Sequence, residues 1–312
     1  MVLAKISTLD MEREDWLEER RKGIGGSDAG AIMGFNKYKS AYQVFLEKTG
    51  QYSEEVDNEA VYFGNALEDF VAQEFAKRTG KKVRRMNKML VHPEHSFMFA
   101  NLDRVVVGEK ALLECKTASE YVKGEWDGED IPASYLCQVH HYLAVTGYQK
   151  AYIAVLVGGN KFVWKEIQRD DEFISILIER ERDFWTYHVL KNEAPPIDGS
   201  EATTELLKKM YPEDDGTAVM LSKEDDILLD ALESIKQEIS VLEEQKKEYE
   251  NKLKLKLKNA TEGHSVRHKV TFKTIVSNRV DSKKLKSEVP EVYEKFVKPS
   301  TSRRLNITKL EA

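Results

Sequence analysis

Apolar positions along the first 190 residues alternate between two periods, one typical of helices and one typical of strands. Helical spacing predicts six helices, which cover residues 11–22, 27–33, 40–50, 58–79, 134–146 and 170–190. Apolar runs between turn residues predict two hairpins, with strands at 97–107 and 111–116 and at 150–157 and 161–167. Helices before, between and after paired strands are typical of an α/β sandwich around a mixed sheet.

Two local features refine this outline. A glycine-rich turn at 23–26 precedes Ser27 and Asp28, whose side chains are suited to cap the short helix that follows. In the helix 58–79, helical spacing predicts a buried side that consists of Ala66, Leu67, Phe70, Val71 and Phe75.

The chain changes character after Pro195-Pro196, which predicts that the α/β core covers residues 1–196. We predict a linker with a short helix at 197–220, a long helix at 221–260 and a small basic appendage at 261–312. The long helix carries apolar residues in four-three spacing up to a break at Lys246, namely Leu228, Leu232, Ile235, Ile239 and Leu242. This coiled-coil-like stripe is short, which favours packing on its own chain or on one partner.

Composition excludes several classes of protein. With 312 residues, 41% of them hydrophobic and 33% charged, the chain can bury a sizeable core. No apolar run approaches the roughly 20 residues of a membrane span, and the N-terminus lacks the pattern of a signal peptide. Cys115 and Cys137 form at most one bridge, which excludes a disulfide-stapled secreted domain. We therefore expect a cytoplasmic protein without a membrane partner.

Charge is distributed unevenly along the chain. Residues 1–250 hold 32 Lys and Arg against 48 Asp and Glu, whereas residues 251–312 hold 16 against 6. The net charge of −6 therefore combines an acidic body of −16 with a basic end of +10. The basic end is suited to bind phosphates or another acidic surface. Alternatively, these charges belong to a solvated lysine-rich helix.

The candidate chemistry lies on the first predicted hairpin. The pattern places Asp103 on its first strand and Glu114 and Lys116 on one face of its second strand, because residues two apart on a strand point the same way. Hard carboxylate ligands of this kind hold Mg²⁺ and suit phosphate substrates. A cross-strand salt-bridge ladder would give the same spacing.

Several further polar residues have both a structural and a functional interpretation. Glu68 is either a solvated helix residue or a further metal ligand, and Gln138 is either a buried amide or a phosphate contact. His140-His141 face different sides of a helix, so we interpret both as structural. Arg20 and Ser27 flank a glycine-rich turn at a helix N-terminus, which could bind a phosphate or serve as an ordinary turn.

Six separated motifs within about residues 12–190 resemble, in order and approximate spacing, the YqaJ-like viral recombinase family. They are Trp16-Leu17-Glu18-Glu19-Arg20, Ile24-Gly25-Gly26-Ser27-Asp28-Ala29, Gly64-x-x-x-Glu68, Asp103, Glu114-Cys115-Lys116 and Gln138-x-x-x-Tyr142. That family is of the phage lambda exonuclease type of PD-(D/E)XK nucleases. The resemblance implies the fold of that nuclease core, a mixed central sheet flanked by helices.

The resemblance also implies a function. It is that of a Mg²⁺-dependent 5′-to-3′ exonuclease, with Mn²⁺ as a possible substitute, which resects linear duplex DNA ends to 3′ overhangs for phage recombination. By resemblance, the metal ligands are Asp103, Glu114, the carbonyl of Cys115 and Glu68. Lys116 would position the nucleophilic water, and the contacts to the 5′-phosphate and the scissile region would come from Arg20, Ser27, Gln138 and Tyr142.

By the same resemblance, the partners are double-stranded DNA ends, a single-strand annealing protein of the RecT kind and further copies of the chain in a trimeric ring. The setting would be the cytoplasm of a bacterial host that carries a phage or prophage. The long helix and basic tail depart from the compact trimer. Two alternatives remain: a structure-specific or nicking endonuclease on the same fold, and a non-catalytic module that binds DNA ends.

Overall fold

A computed structural model describes residues 4–53 and 59–308. Contacts divide the chain into two compact units, Met1–Met210 and Tyr211–Ala312. Asn58, the first residue of the helix predicted at 58–79, lies outside the described residues, as do the last four residues of the basic end.

The first unit contains seven α-helices and nine strands in its described residues. The helices are α1 (Arg13–Arg21), α2 (Gly26–Ile32), α3 (Ala41–Lys48), α4 (Glu59–Thr79), α5 (Ala133–Thr146), α6 (Asp171–Asp183) and α7 (Glu201–Met210). The strands are β1 (Ala4–Ser7), β2 (Ile24–Gly25), β3 (Val83–Arg85), β4 (Lys88–Val91), β5 (Met98–Asn101), β6 (Arg104–Val106), β7 (Ala111–Ala118), β8 (Lys150–Val157) and β9 (Lys161–Gln168). A 3-10 helix spans Glu120–Trp126, and a π-helical turn, Phe184–Val189, follows α6.

The strands form two sheets. The larger sheet has the order β3-β6-β7-β8-β9, with β7 parallel to β8 and the other pairs antiparallel. The parallel pair needs a long crossover, which α5 supplies. The smaller sheet has the order β1-β4-β5-β2, with β2 parallel to β5. The prediction of a mixed sheet flanked by helices is confirmed.

Both faces of the larger sheet are buried, which explains the continuous apolar runs of β7 and β8. One face packs against α5 and the smaller sheet, and the other packs against α4. On α4, the buried residues are Val71, Ala72 and Phe75. Phe70 is half-exposed and Ala66 is exposed, so the predicted buried side was wrong for these two, because only the part of α4 from Val71 onward is buried.

Two other sequence predictions need correction. The strand predicted at 97–107 breaks after Asn101, since β5 belongs to the smaller sheet and β6 to the larger, and Asp103 lies in the bend between them. Helix α2 is capped by Gly25, whose N–H donates to Asp28 Oδ2 at 3.1 Å, so Ser27 and Asp28 lie inside the helix. At Gly26 a Cβ would lie 2.4 Å from the Tyr142 ring, so only glycine lets α2 approach α5 this closely.

Helix α7 lies within the segment 197–220 that the sequence predicts as a linker. Its Ala202, Thr203 and Leu206 are buried, and Leu206 joins a cluster with Val44 and Phe184. The first compact unit consequently extends to Met210 rather than ending at Pro196. An amphipathic helix that closes a cluster in this way is difficult to distinguish from a helical linker by sequence.

The second unit contains α8 (Lys223–Leu257), the antiparallel pair β10 (Glu262–His264) and β11 (Lys269–Thr271), α9 (Ser282–Glu288) and α10 (Pro290–Phe296). Ser222 caps α8 and accepts from the Asp225 N–H. No residue of α8 is buried, so its apolar stripe faces solvent. Among the helices in the described part of the chain, none is long and apolar enough to cross a membrane.

Candidate active site

The end of the β6–β7 pairing places the first candidate residues together. That pairing ends at Arg104 and Leu113, one position before Asp103 and Glu114 would face each other. Beyond this point a side chain replaces the strand pairing: Asp103 Oδ2 accepts a hydrogen bond from the Cys115 N–H at 2.8 Å. The N–H and C=O of one strand residue point to the same side, so the Cys115 carbonyl opens toward the side that Asp103 occupies.

Glu114 and Lys116 lie on the opposite face of β7 from Cys115, which packs toward α4. Glu114 is 2% exposed, and its Oε1 accepts from Lys116 Nζ at 2.7 Å and from Gln138 Nε2 at 2.6 Å. Gln138 also donates to the Tyr142 hydroxyl at 3.2 Å. Two residues of β7 and two of α5 thus form one buried polar network.

This network contains more acidic than basic side chains. Burial raises the pKa of Asp103 well above its usual value, and the Glu114 carboxylate raises it further. Burial also raises the pKa of Glu114, although Lys116 opposes the shift. Burial alone would lower the pKa of Lys116, but Glu114 and Asp103 outweigh it and keep the ammonium charged. One ammonium therefore compensates two carboxylates.

This network fits a divalent cation. Glu114 Oε2 is buried and has no hydrogen-bond partner, although buried carboxylate oxygens are almost always paired. Carboxylates and a main-chain carbonyl are the hard oxygen ligands that Mg²⁺ and Mn²⁺ prefer. Asp103, Glu114 and the Cys115 carbonyl are consequently the groups that could hold a metal here.

Glu68 stands apart from these groups. It pairs with the guanidinium of Arg104, which also contacts Asp69 and the Asp103 carbonyl. Glu68 and Asp103 line one cavity of about 380 Å³. In the described residues, no three His, Cys, Asp or Glu side chains form a metal-binding group, and Glu68 Oε1 is paired with Arg104.

A second cluster surrounds Asp28 on α2. The Asp28 carboxylate is 1% exposed, and it lies 2.9 Å from Lys39 Nζ, 2.8 Å from Lys48 Nζ and 3.9 Å from Arg20 Nη2. Burial would raise the pKa of Asp28, but these three cations hold it well below its usual range. Arg20 also donates to the Ser27 hydroxyl and stacks over the Trp16 ring at 5.1 Å.

The two clusters lie on either side of Ser27. On one side, a cavity of about 780 Å³ is lined by Arg20, Lys39 and Lys48 together with acidic side chains that include Asp28 and Glu47. On the other side, Ser27 lines a cavity of about 570 Å³ together with Lys116 and Gln138. Ser27, which accepts a hydrogen bond from Arg20, therefore connects the cluster around Asp28 to the cavity beside the acidic network.

A search of known proteins finds a relative that covers nearly the whole chain. The YqaJ protein of Bacillus subtilis (strain 168) is 51% identical over 310 residues, which is 98% of this chain and 97% of that protein. The profile of the YqaJ-like viral recombinase domain matches residues 15–149. The chain belongs to the YqaJ-like viral recombinase family. The resemblance inferred from the sequence motifs is confirmed.

Solved structures similar to this YqaJ-like chain include an alkaline exonuclease, LHK-Exo, from Laribacter hongkongensis. It is 19% identical, covers 63% of this chain and 97% of its own, and has a TM-score of 0.49. A phage-related exonuclease from Haemophilus somnus 129PT is 14% identical, covers 63% of this chain and 100% of its own, and has a TM-score of 0.42.

The site of this YqaJ-like chain includes residues that sequence reasoning missed. Asp28, Lys39 and Lys48 are absent from the predicted set, although they form most of the cluster beside Arg20. For Asp28 a signal exists, because an acid among Ala29, Gly30 and Ala31 in a short apolar helix is unusual. Lys39 and Lys48 carry no such signal, since only the fold brings α3 and its preceding loop to Asp28.

The two adjacent histidines have structural partners. His141 is fully buried, with Nδ1 2.8 Å from Glu181 Oε1 and Nε2 2.9 Å from the Phe99 carbonyl oxygen. The Phe99 carbonyl accepts from Nε2, and Nδ1 pairs with the Glu181 carboxyl group. Burial would lower the pKa of His141, but Glu181 outweighs it and raises the pKa. This ion pair joins α5, α6 and β5 beneath the network that contains Gln138.

Proposed function

We propose that this chain is a Mg²⁺-dependent 5′-to-3′ exonuclease that resects linear duplex DNA and leaves 3′ overhangs for recombination. The observation that carries the proposal is the adjacency of two clusters with opposite charge balance. The Asp103–Glu114 network has an excess of negative charge that suits a metal ion. The cluster of Arg20, Lys39 and Lys48 has three cations for the two carboxylates of Asp28 and Glu47, an excess that suits a phosphate.

In this proposal Asp103, Glu114 and the Cys115 carbonyl bind the metal ion. When bound, Mg²⁺ would lower the pKa of a water molecule and neutralise charge on the scissile phosphate. Lys116 remains protonated because its carboxylate neighbours raise its pKa, so it donates hydrogen bonds rather than accepting a proton. Its role is to orient the attacking water or to stabilise the negative charge that develops on phosphate oxygen.

Gln138 and Tyr142 act by holding Glu114 in place. Gln138 donates to Glu114 Oε1 and to the Tyr142 hydroxyl, which fixes the carboxylate from the side of α5. Burial raises the pKa of Tyr142, so its hydroxyl stays protonated. In this proposal Glu68 binds a metal ion only after substrate or a second metal ion displaces Arg104, with which it forms an ion pair.

In this proposal, the polarity of the reaction depends on the cation-rich cluster around Asp28. Arg20, Ser27, Lys39 and Lys48 would bind the terminal 5′-phosphate. Ser27 accepts a hydrogen bond from Arg20 and also lines the cavity that contains Lys116. A phosphate anchored there places the first phosphodiester bond near the metal site, so hydrolysis starts at an end. The 3′ strand that remains is the substrate of an annealing protein of the RecT kind.

The test is digestion of three substrates in the presence of Mg²⁺: linear duplex with a 5′-phosphate, the same duplex without it, and a covalently closed circle. We expect nucleotide release from the phosphorylated linear duplex, much slower release from the unphosphorylated duplex and none from the circle. Cutting of the circle would favour an endonuclease on the same fold. Tight end binding without nucleotide release would favour a binding module.

A further inference from the structure

The exposed stripe of α8 takes no part in the proposed function. Helix α8 is 35 residues long, roughly 50 Å, and none of its residues is buried. Ile235, Ile239 and Leu242 are 51%, 50% and 62% exposed. A helix of this length with an unpaired apolar stripe normally packs against another helix.

The stripe extends beyond the point at which the apolar pattern breaks. Continuing the four-three spacing from Leu242 leads to Lys246, Tyr249 and Leu253. Tyr249 and Leu253 are 64% and 46% exposed, so the apolar stripe resumes after a single lysine. We call the complete row of positions, from Leu228 to Leu253, the seam. From Leu228 to Leu253 it covers eight positions and nearly four heptads, the length at which a coiled-coil pattern becomes diagnostic.

Charge along α8 is strongly segregated. Residues 223–244 hold two lysines and eight carboxylates, a net −6, whereas residues 245–258 hold six lysines and two carboxylates, a net +4. The helix dipole favours acids only in the first turn and bases only in the last, so it does not account for Glu238, Glu243 and Glu244 in the middle. A partner helix of the reverse polarity does account for them.

We propose that α8 pairs in antiparallel orientation with α8 of a second copy of this chain. Antiparallel pairing places the acidic half of each helix beside the basic half of the other. The eight seam positions are symmetric about their midpoint between Ser240 and Val241, so the same seam matches itself when it is reversed.

The position of Lys246 distinguishes the two orientations. In a parallel, in-register pair, Lys246 would face its own copy at a seam position, and Glu238 would face Glu243 of the other helix, so like charges would meet. In the antiparallel pair, Lys246 lies opposite Ile235, where its aliphatic stem covers the apolar side chain while the ammonium extends toward the acidic half.

The residues that flank the seam agree with this orientation. In an antiparallel coiled coil, flanking positions of the same heptad type face each other across the seam. Lys236 then faces Glu243 of the second copy, and Glu238 faces Gln245, each contact occurring twice because of the twofold symmetry. Flanking charges of this kind determine partner choice and orientation in coiled coils. This inference is independent of the nuclease activity.

The first experiment compares two variants of the full chain that differ only in helix face. Ile239 is 50% exposed on the stripe, and Val241 is 55% exposed off it, so the isolated chain would tolerate a charge equally well at both. We expect Ile239→Glu to lower the molar mass measured by light scattering at least twofold and Val241→Glu to leave it at the wild-type value. A monomeric wild type, or equal masses for both variants, would overturn the proposal.

The second experiment tests orientation by disulfide formation. A mixture of Leu228→Cys and size-tagged Leu253→Cys chains should form the mixed disulfide on mild oxidation, whereas each variant alone should not. Cross-linking of Leu228→Cys with itself would establish a parallel pair and overturn the antiparallel one. Wild-type chain is the control, since its cysteines, Cys115 and Cys137, are buried.

Exchanging the charges of Lys236 and Glu243 distinguishes an effect on pairing between helices from an effect on the stability of one helix. Lys236→Glu should raise the dissociation constant of the pair about tenfold, because two attractive contacts become repulsive. Adding Glu243→Lys should restore the wild-type constant. The two residues are seven positions apart, too far for an ion pair within one helix. Failure of the double variant to recover would show that Lys236 and Glu243 do not meet.

Discussion

The core contains two buried carboxylate clusters whose charge balances are opposite. Around Asp28, the side chains of Arg20, Lys39 and Lys48 supply three cations for two carboxylates, since Glu47 also pairs with Lys39. Around Asp103 and Glu114, the single ammonium of Lys116 is the cation that offsets two carboxylates. The pKa of Asp28 is well below its usual range, and the pKa values of Asp103 and Glu114 are above theirs.

Burial by itself does not explain this difference. Desolvation raises the pKa of all three carboxyl groups, so the number of neighbouring cations decides the direction of the final shift. A cluster with surplus cations is ready to receive an anion, and a cluster with surplus carboxylates is ready to receive a cation. These charge balances support the proposal that a phosphate binds beside Arg20, Lys39 and Lys48 and a metal ion beside Asp103 and Glu114.

The largest expected effect is on catalysis. Lys116→Ala should lower the rate of nucleotide release from 5′-phosphorylated linear duplex by about 100- to 1000-fold, because the charge that develops on phosphate oxygen loses its donor. Lys161, a lysine of β9 that pairs with Asp127 on the surface, provides the control, and Lys161→Ala should digest at the wild-type rate. Digestion by Lys116→Ala at the wild-type rate would contradict the mechanism.

The second effect is on stability and concerns the cation-rich cluster. Asp28→Asn should lower the free energy of unfolding at pH 7 by about 3 kcal/mol, because three cations lose a buried partner. Asp69→Asn is a suitable control, since the Asp69 side chain is 55% exposed. Urea unfolding of the two variants beside wild type measures the difference.

The contribution of Asp28 to the free energy of unfolding should decrease at low pH. The pKa of Asp28 is lowered in the folded state, so its contribution is fully present above its unfolded value of about 4 and is lost as the pH falls toward the folded value. The gap between wild type and Asp28→Asn should accordingly be largest near neutral pH and shrink below about pH 4. A gap that does not change with pH would mean that Asp28 acts only as a helix cap.

A smaller effect is expected on end recognition. Arg20→Ala should reduce the rate advantage of phosphorylated over unphosphorylated ends by about tenfold, the usual cost of one charge-assisted hydrogen bond. Arg182 pairs with Asp183 on the surface of α6, so Arg182→Ala should keep the wild-type ratio. If both variants keep that ratio, the 5′-phosphate binds elsewhere.

The smallest effect is the response of the acid-rich cluster to metal. At a Mg²⁺ or Mn²⁺ concentration tenfold above its dissociation constant, binding adds about 1.4 kcal/mol, which raises the melting temperature by roughly 3 to 5 °C. Glu114→Gln should abolish this increase, and the exposed substitution Asp127→Asn should not. An equal increase in Glu114→Gln and wild type would place the metal away from Glu114.

Sequence patterns predicted the helices of residues 11–190 and the hairpin of β8 and β9, whereas the first predicted hairpin holds only for β6 and β7. Glu114 follows a strongly apolar run in β7, so its position at the edge of the core could be inferred from the sequence. The position of Asp103 could not, because the pattern does not reveal that the strand divides between two sheets at Asn101. The roles of Lys39 and Lys48 also escaped prediction, since lysines that follow a turn or end a helix are common on surfaces.

The amino-acid sequence sets the period of each element, the uneven charge of the two ends and the motifs that are typical of the family. Which charges neutralise one another depends on tertiary packing. Asp28 meets three cations because α2 packs beside α3 and α1, and Glu114 meets Gln138 because α5 crosses over β7. The physical reason is that a pKa depends on distance and burial, which are set by packing between residues far apart in the chain.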